Sequence, residues 1–87
     1  MTRRFVATFH THASAILTGR SLCAHGARNV HMAPVPRELS SSCGTCVLYE
    51  AQDTLEGFMD EDAEAVYSIT DANGKTLYAL ERRFTDE

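Results

Sequence analysis

Residues 4–12, Arg-Phe-Val-Ala-Thr-Phe-His-Thr-His, decide how this chain begins to fold. The first six include aromatic and β-branched residues and no glycine or proline, which predicts a strand with Phe5 and Phe9 on one face. Thr11 can then cap a helix, because its hydroxyl oxygen can accept a hydrogen bond from a free amide of the first turn. Helical spacing continues to Gly26, a typical stop, so a helix of about three turns should follow the strand.

The helix is predicted from the spacing of its residues. Those that recur at helical spacing are Ala13, Ile16, Leu17, Arg20 and Ala24. Cys23 lies seven residues after Ile16, and a cysteine in such a position is more often a core residue than a nucleophile. We therefore expect Cys23 to be structural.

The middle of the chain predicts two strands joined by a loop. Residues 30–35 read as the second strand, and Pro34 and Pro36 make it an edge strand or end it, because proline cannot donate to a strand ladder. Residues 37–44 are rich in hydroxyl and turn residues, which favours a loop. Residues 45–49 return to β-branched and apolar types and predict the third strand.

A second helix is predicted to begin at Asp53. Asp53 and Glu56 have the spacing of a capping box, and Leu55, Phe58 and Met59 form a short apolar stripe. The acidic residues that follow, Asp60, Glu61, Asp62 and Glu64, would then be the solvated end of this helix.

The last part of the chain predicts a β-hairpin. Residues 65–70 and 76–84 have strand composition and flank Asn73-Gly74. Asn-Gly is a strong signal for a two-residue turn, because both of its positions require positive φ.

The order of predicted elements is β-α-β-β-α-β-β. It indicates an α+β fold of the two-layer split βαβ (ferredoxin-like) kind, with both helices on one face of the sheet. A right-handed crossover makes the first two strands parallel and the third antiparallel to them. His10 and His12 should then lie at the same end of the sheet as the loop 37–44.

Size and charge narrow the function classes. Eighty-seven residues form one domain, 1–87, and leave no room for a second core. The net charge of −4 argues against nucleic-acid binding, which needs clustered cations. No stretch approaches the roughly 18 apolar residues of a membrane span.

The cysteines and histidines indicate the cellular compartment of the protein. His10 and His12 interrupt what would have to be the apolar part of a secretory signal. Three cysteines are an odd number, whereas small secreted domains normally carry an even and denser set. We therefore expect a cytoplasmic protein.

The stretch from Pro34 to Gly44 is the most unusual part of the sequence. Pro34 and Pro36 restrict the backbone before the loop, and Cys43 follows three serines and precedes Gly44. Such a loop is suited to presenting a sulfur atom.

This segment resembles a family of small selenium/sulfur carrier-like proteins that share Pro-x-Pro-Arg-Glu-x-Ser-x-x-Cys-Gly between the second and third strands. The matching residues are Pro34, Pro36, Arg37, Glu38, Ser40, Cys43 and Gly44. The resemblance implies that Cys43 carries sulfur or selenium as a persulfide or perselenide and that Gly44 lets the backbone turn. The first hypothesis is therefore a carrier more than a stand-alone enzyme, which receives the atom from a donor enzyme and passes it to an acceptor protein, without a cofactor.

Cys46 departs from this pattern, since the family more often has a small apolar residue there. Cys43 and Cys46 form a Cys-x-x-Cys, which can be a redox pair or half of a zinc site. On an extended chain their Cα atoms would be about 10 Å apart, too far for a disulfide unless Gly44 makes a turn. The other zinc-ligand candidates, Cys23 and the histidines, are irregularly spaced, so we expect a buried Cys46 and no metal.

A sulfur acceptor reacts as its thiolate, which needs stabilisation. The N-terminus of the first helix, Arg37, and His10 or His12 are the candidates for this role near Cys43. We therefore expect a partly exposed Cys43 sulfur close to that helix or to Arg37.

Another interpretation stays open. The protein could be a non-catalytic interaction or regulatory module, with the loop from Pro34 to Gly44 as its docking surface and Cys43 only packing. Edge strands also leave dimerisation open.

Overall fold

The computed structural model describes residues 2–84 and has an α+β fold, as the sequence predicts. These residues form a five-stranded antiparallel sheet, one α-helix and one short 3-10 turn. The elements are β1 (Arg3–Phe9), α1 (His12–Ala24), β2 (Arg28–Pro34), β3 (Thr45–Ala51), the 3-10 turn (Glu56–Phe58), β4 (Ala63–Ala72) and β5 (Lys75–Arg83).

The strands are arranged in the order β2-β3-β1-β4-β5. The first strand is central and pairs antiparallel with both β3 and β4. Since β1 and β2 both run antiparallel to β3, they point in the same direction. The end of β1 and the loop after β2 therefore lie at the same end of the sheet, which positions the site described below.

Helix α1 begins where the sequence predicts but buries a different face. The Thr11 hydroxyl accepts a hydrogen bond from the Ser14 amide at 3.1 Å. The expected core position of Cys23 is wrong, because Cys23 is exposed, and Leu17 is also 52 % exposed. The buried residues are instead Ser14, Ala15, Thr18 and Leu22. Three of these side chains are small, which lets the helix lie close to the sheet, and two are polar, which hides them from a search for apolar spacing.

The predicted second helix is wrong, and only the 3-10 turn occupies its place. Asp53 does not start a helix: its carboxylate accepts a hydrogen bond from the Leu55 amide at 2.9 Å, two residues away. Leu55 adopts a left-handed conformation with φ of 53°, and Met59 is already extended. The Asp60 amide donates to the Thr18 hydroxyl at 2.9 Å, so this segment lies against α1.

The predicted C-terminal hairpin is confirmed. Asn73 and Gly74 have φ of 54° and 76°, as their turn requires, and Ala72 pairs with Lys75 beside it. The pairing extends along β4 and β5 to Ala65 and Arg83.

Two apolar clusters lie on opposite faces of the sheet. The helix-side cluster joins Ala15 and Leu22 of α1 to residues such as Phe5 and Val47. The open-face cluster consists of Val6, Cys46 and Ile69, which alternate with helix-side residues along their strands. No α1 residue belongs to this second cluster.

Within residues 2–84 no helical segment has the length and apolar character that a membrane span demands.

Candidate functional site

The segment between β2 and β3, residues 35–44, is called the thiol loop here. It is closed at its base, because the Val35 amide donates to the Gly44 carbonyl at 3.0 Å. A turn forms within it, where the Leu39 amide donates to the Pro36 carbonyl at 3.0 Å. Gly44 has φ of 75°, a conformation that favours glycine. The loop is therefore a closed excursion with its thiol one residue before the closing glycine.

The thiol loop contacts both faces of the sheet. Leu39 packs against the open-face cluster, whereas Cys43 packs against the helix-side cluster. The chain thus crosses the end of the sheet between these two residues. Each end of this crossing is held by apolar contacts.

Polar contacts hold the crossing segment to the end of β1 and to β4. The Ser41 hydroxyl donates to the Phe9 carbonyl at 2.8 Å. The Ser42 hydroxyl donates to the Glu64 carboxylate at 2.8 Å, and His10 Nδ1 lies 3.1 Å from the same carboxylate oxygen. His10 Nδ1 is also 3.4 Å from the Ser42 hydroxyl. Ser41 and Ser42 therefore anchor the loop.

The Cys43 sulfur is partly buried and contacts the backbone of Thr45. The Thr45 amide donates to Sγ at 3.4 Å, and the thiol can donate to the Thr45 carbonyl, also at 3.4 Å. His12 Nδ1 lies 3.3 Å from the Thr45 hydroxyl. His12 is the first residue of α1, so Thr45 connects the start of the helix to the thiol.

The structure brings some of the predicted site residues together and leaves others apart. His10 and His12 both contact the segment that includes Cys43 and Gly44. Arg37 is exposed at the turn of the loop, and no hydrogen bond or ion pair within residues 2–84 joins its guanidinium to Cys43. The start of the helix is linked to the thiol through Thr45, which contacts both His12 and Cys43.

Cys46 is fully buried in β3, on the other face of the sheet from Cys43. Burial raises the pKa of Cys46 to about 11, and the neighbouring Cys43 adds to the increase. Cys23, Cys43 and Cys46 are all free thiols in this structure. The Cys-x-x-Cys spacing therefore does not form a disulfide here, and Cys46 is a poor nucleophile at neutral pH.

No group of three or more histidine, cysteine, aspartate or glutamate side chains that could hold a metal ion occurs within residues 2–84.

Glu64 is the site residue that the sequence analysis missed. The sequence predicts it at a solvated helix end, yet it lies in β4 with its side chain only 14 % exposed. A strand beginning at Ala63 would have placed it beside the end of β1, but the acidic run preceding it favoured a helix.

The site is therefore one partly exposed thiol that a loop presents at the end of the sheet in a small α+β domain. The chain belongs to the family described as putative Se/S carrier protein-like, whose model matches residues 4–74. The matched region runs from β1 to the turn of the hairpin and includes the whole thiol loop. No curated protein and no solved structure matches the chain.

Proposed function

We propose that this protein carries sulfur or selenium on Cys43, as a persulfide or perselenide. The observation that carries the proposal is the position of Cys43: it is the partly exposed thiol of an anchored loop, within the region that the Se/S carrier family model matches. Cys23 lies on α1, away from this loop, and Cys46 is buried. One thiol is therefore suited to the role.

The transfer needs no oxidant from outside. The Cys43 thiolate attacks the outer sulfur of a persulfide on the donor enzyme. A new S–S bond forms at Cys43 while the S–S bond of the donor breaks, and the donor cysteine leaves as a thiolate that takes up a proton. A nucleophile of the acceptor protein then attacks the outer sulfur, and Cys43 leaves as the thiolate. Selenium follows the same steps.

The contacts of Cys43 suit these steps. A thiolate can accept the Thr45 amide as a hydrogen-bond donor, and the same amide supports Cys43 when it leaves in the second step. The nucleophile that attacks the outer sulfur on Cys43 must come from the acceptor protein, because Cys46 points away from Cys43. The carrier therefore works with one cysteine and two partner proteins, in a reducing compartment that we take to be the cytoplasm.

We also infer a split βαβ arrangement in which the second helix is reduced to the 3-10 turn. This inference is supported by the parallel directions of β1 and β2 with β3 between them. Such an arrangement explains why the start of α1 and the thiol loop are neighbours.

The test is intact mass spectrometry after incubation with a cysteine desulfurase and free cysteine. We expect an adduct of about 32 Da on Cys43, the mass of one sulfur. Cys43→Ser should abolish it, whereas Cys23→Ser should retain it. An adduct that persists in Cys43→Ser, or no adduct on the unmodified chain, would overturn the proposal.

The interaction-module alternative has one observation in its favour, which is that Cys43 packs against the helix-side cluster. The same experiment separates the two functions. If Cys43 receives no sulfur and a model alkylating reagent labels it no faster than a free thiol, packing is its only role.

A further inference from the structure

Strand β4 contains one extra residue where it passes the end of β1. Thr8 pairs with Ala65 and Phe9 pairs with Ala63, so Glu64 has no partner in β1. This is a β-bulge, a feature that redirects a side chain and is common beside functional sites. Here the bulge directs Glu64 toward the thiol loop.

The carboxylate of Glu64 accepts hydrogen bonds from that loop. Oε1 accepts the Ser42 amide at 3.4 Å, and Oε2 accepts the Ser42 hydroxyl at 2.8 Å. His10 Nδ1 lies 3.1 Å from Oε2. Holding a mostly buried carboxylate costs free energy unless donors surround it, and these groups supply them.

The backbone of Glu64 is fixed as well. Its carbonyl accepts the Phe84 amide at 2.9 Å, beyond the end of β5. The carboxylate therefore extends from a backbone position held by this hydrogen bond and by the pairing of Ala63 and Ala65 with β1, and it is a rigid point of attachment for the loop.

Ser42 directly precedes Cys43, and Glu64 holds Ser42 by both its amide and its hydroxyl. Two contacts to one residue restrain rotation of that residue as well as its position. Ser42 is therefore held by its backbone and by its side chain, and this restrains the segment from which Cys43 extends.

We propose that Glu64 is the positioning residue of the thiol loop, which holds Ser42 and, through it, Cys43 in the orientation used for transfer. Glu64 does not touch the transferred atom. The positioning itself is a property of the loop, whereas its use in transfer rests on the proposed carrier function.

Amide hydrogen exchange at Ser42, measured by NMR, tests the positioning without reference to transfer. In Glu64→Ala we expect exchange at the Ser42 amide, which bonds to Glu64, to increase about fivefold, the scale of one lost hydrogen bond. Glu64→Gln should give a smaller increase, because its amide oxygen can still accept from Ser42. Glu61→Gln is the matched control in the same acidic segment, where the side chain is exposed, and should leave the exchange unchanged.

A double-mutant cycle with Ser42→Ala shows whether Glu64 acts through Ser42. If it does, the rate of sulfur loading from a desulfurase falls in each single variant, and the double variant is no slower than Glu64→Ala alone. Independent effects that add in the double variant would overturn the proposal. Partial rescue by Glu64→Gln separates positioning from a general loss of folding, since a misfolded chain would not respond to the conservative change.

Two results are decisive. Unchanged exchange at Ser42 in Glu64→Ala overturns the role of Glu64. Increased exchange there, combined with no sulfur loading of the unmodified chain, supports the positioning and rejects the carrier function, so the two failures are distinguishable.

Discussion

Cys43 and Cys46 lie on opposite faces of the sheet, although only Gly44 and Thr45 separate them in the chain. Cys43 packs against the helix-side cluster, and Cys46 belongs to the open-face cluster. Cys46 is the second residue of β3, where alternation along the strand fixes its direction. A disulfide between them would require the start of β3 to leave the sheet.

This separation predicts different outcomes for the two cysteine variants. Cys43→Ser should abolish sulfur loading, whereas Cys46→Ala should load at nearly the rate of the unmodified chain. Intact mass after treatment with a desulfurase measures both. Equal loss in the two variants would indicate a dithiol mechanism, as would a disulfide between the two cysteines found by peptide mapping.

The raised pKa of Cys46 also predicts a loss of folding stability at alkaline pH. Burial raises its pKa from 9.0 to about 11, so the unfolded chain releases this proton at lower pH than the folded chain does. The resulting stability is complete below pH 9 and is lost as the pH rises toward 11. At pH near 10.5 the free energy of unfolding should fall by about 2 kcal/mol from this group alone.

Urea denaturation at neutral and alkaline pH, on the unmodified chain and Cys46→Ala, measures this contribution. Burial also raises the pKa of Tyr49, so both proteins lose stability at high pH. The difference between them isolates Cys46. An identical pH dependence of the two proteins would contradict the prediction.

Leu39 is expected to shield Cys46, because it packs against the cluster that contains this thiol. Leu39→Ser should reduce the free energy of unfolding by about 1 kcal/mol, roughly half the value of a fully buried leucine. It should also speed alkylation of Cys46 in the folded protein. Leu17→Ser changes a leucine that is 52 % exposed on α1, and it should leave the labelling of Cys46 unaltered.

The hairpin turn allows a matched comparison of two glycines. A Cβ at Gly74 or at Gly57 would meet no atom within 4 Å, but only Gly74 has a positive φ, of 76°. Gly74→Ala should therefore cost about 1 to 2 kcal/mol from backbone strain alone. Gly57→Ala should be neutral or slightly stabilising. Thermal unfolding of both variants measures this difference, and equal melting temperatures would disprove the assignment of strain.

Parts of the fold follow from the sequence because their chemistry is local. The Thr11 cap needs only a hydroxyl three residues before a free amide, and the Asn73-Gly74 turn needs only two residues that tolerate positive φ. The sequence also leads to Cys43 and its loop, since the prolines, the serines and the glycine adjoin the thiol.

Other parts depend on tertiary contacts. Asp53 and Glu56 have the spacing of a capping box, but Leu55 and Met59 pack against the helix-side cluster and hold this segment out of a helix. Glu64 becomes a site residue only through the register shift between β1 and β4, which no local pattern indicates. Tertiary contacts therefore determine both the absence of a helix at Asp53 and the position of Glu64.

The hydrogen bond from the Val35 amide to the Gly44 carbonyl makes the pairing of β2 with β3 independent of the length of the thiol loop. Because this bond closes the loop at its base, extra residues inserted between 36 and 43 would leave the pairing of β2 and β3 unchanged. Doubling the length of a flexible loop costs only about 0.6 kcal/mol of closure entropy. A change in loop length alone can therefore alter how far Cys43 extends from this sheet.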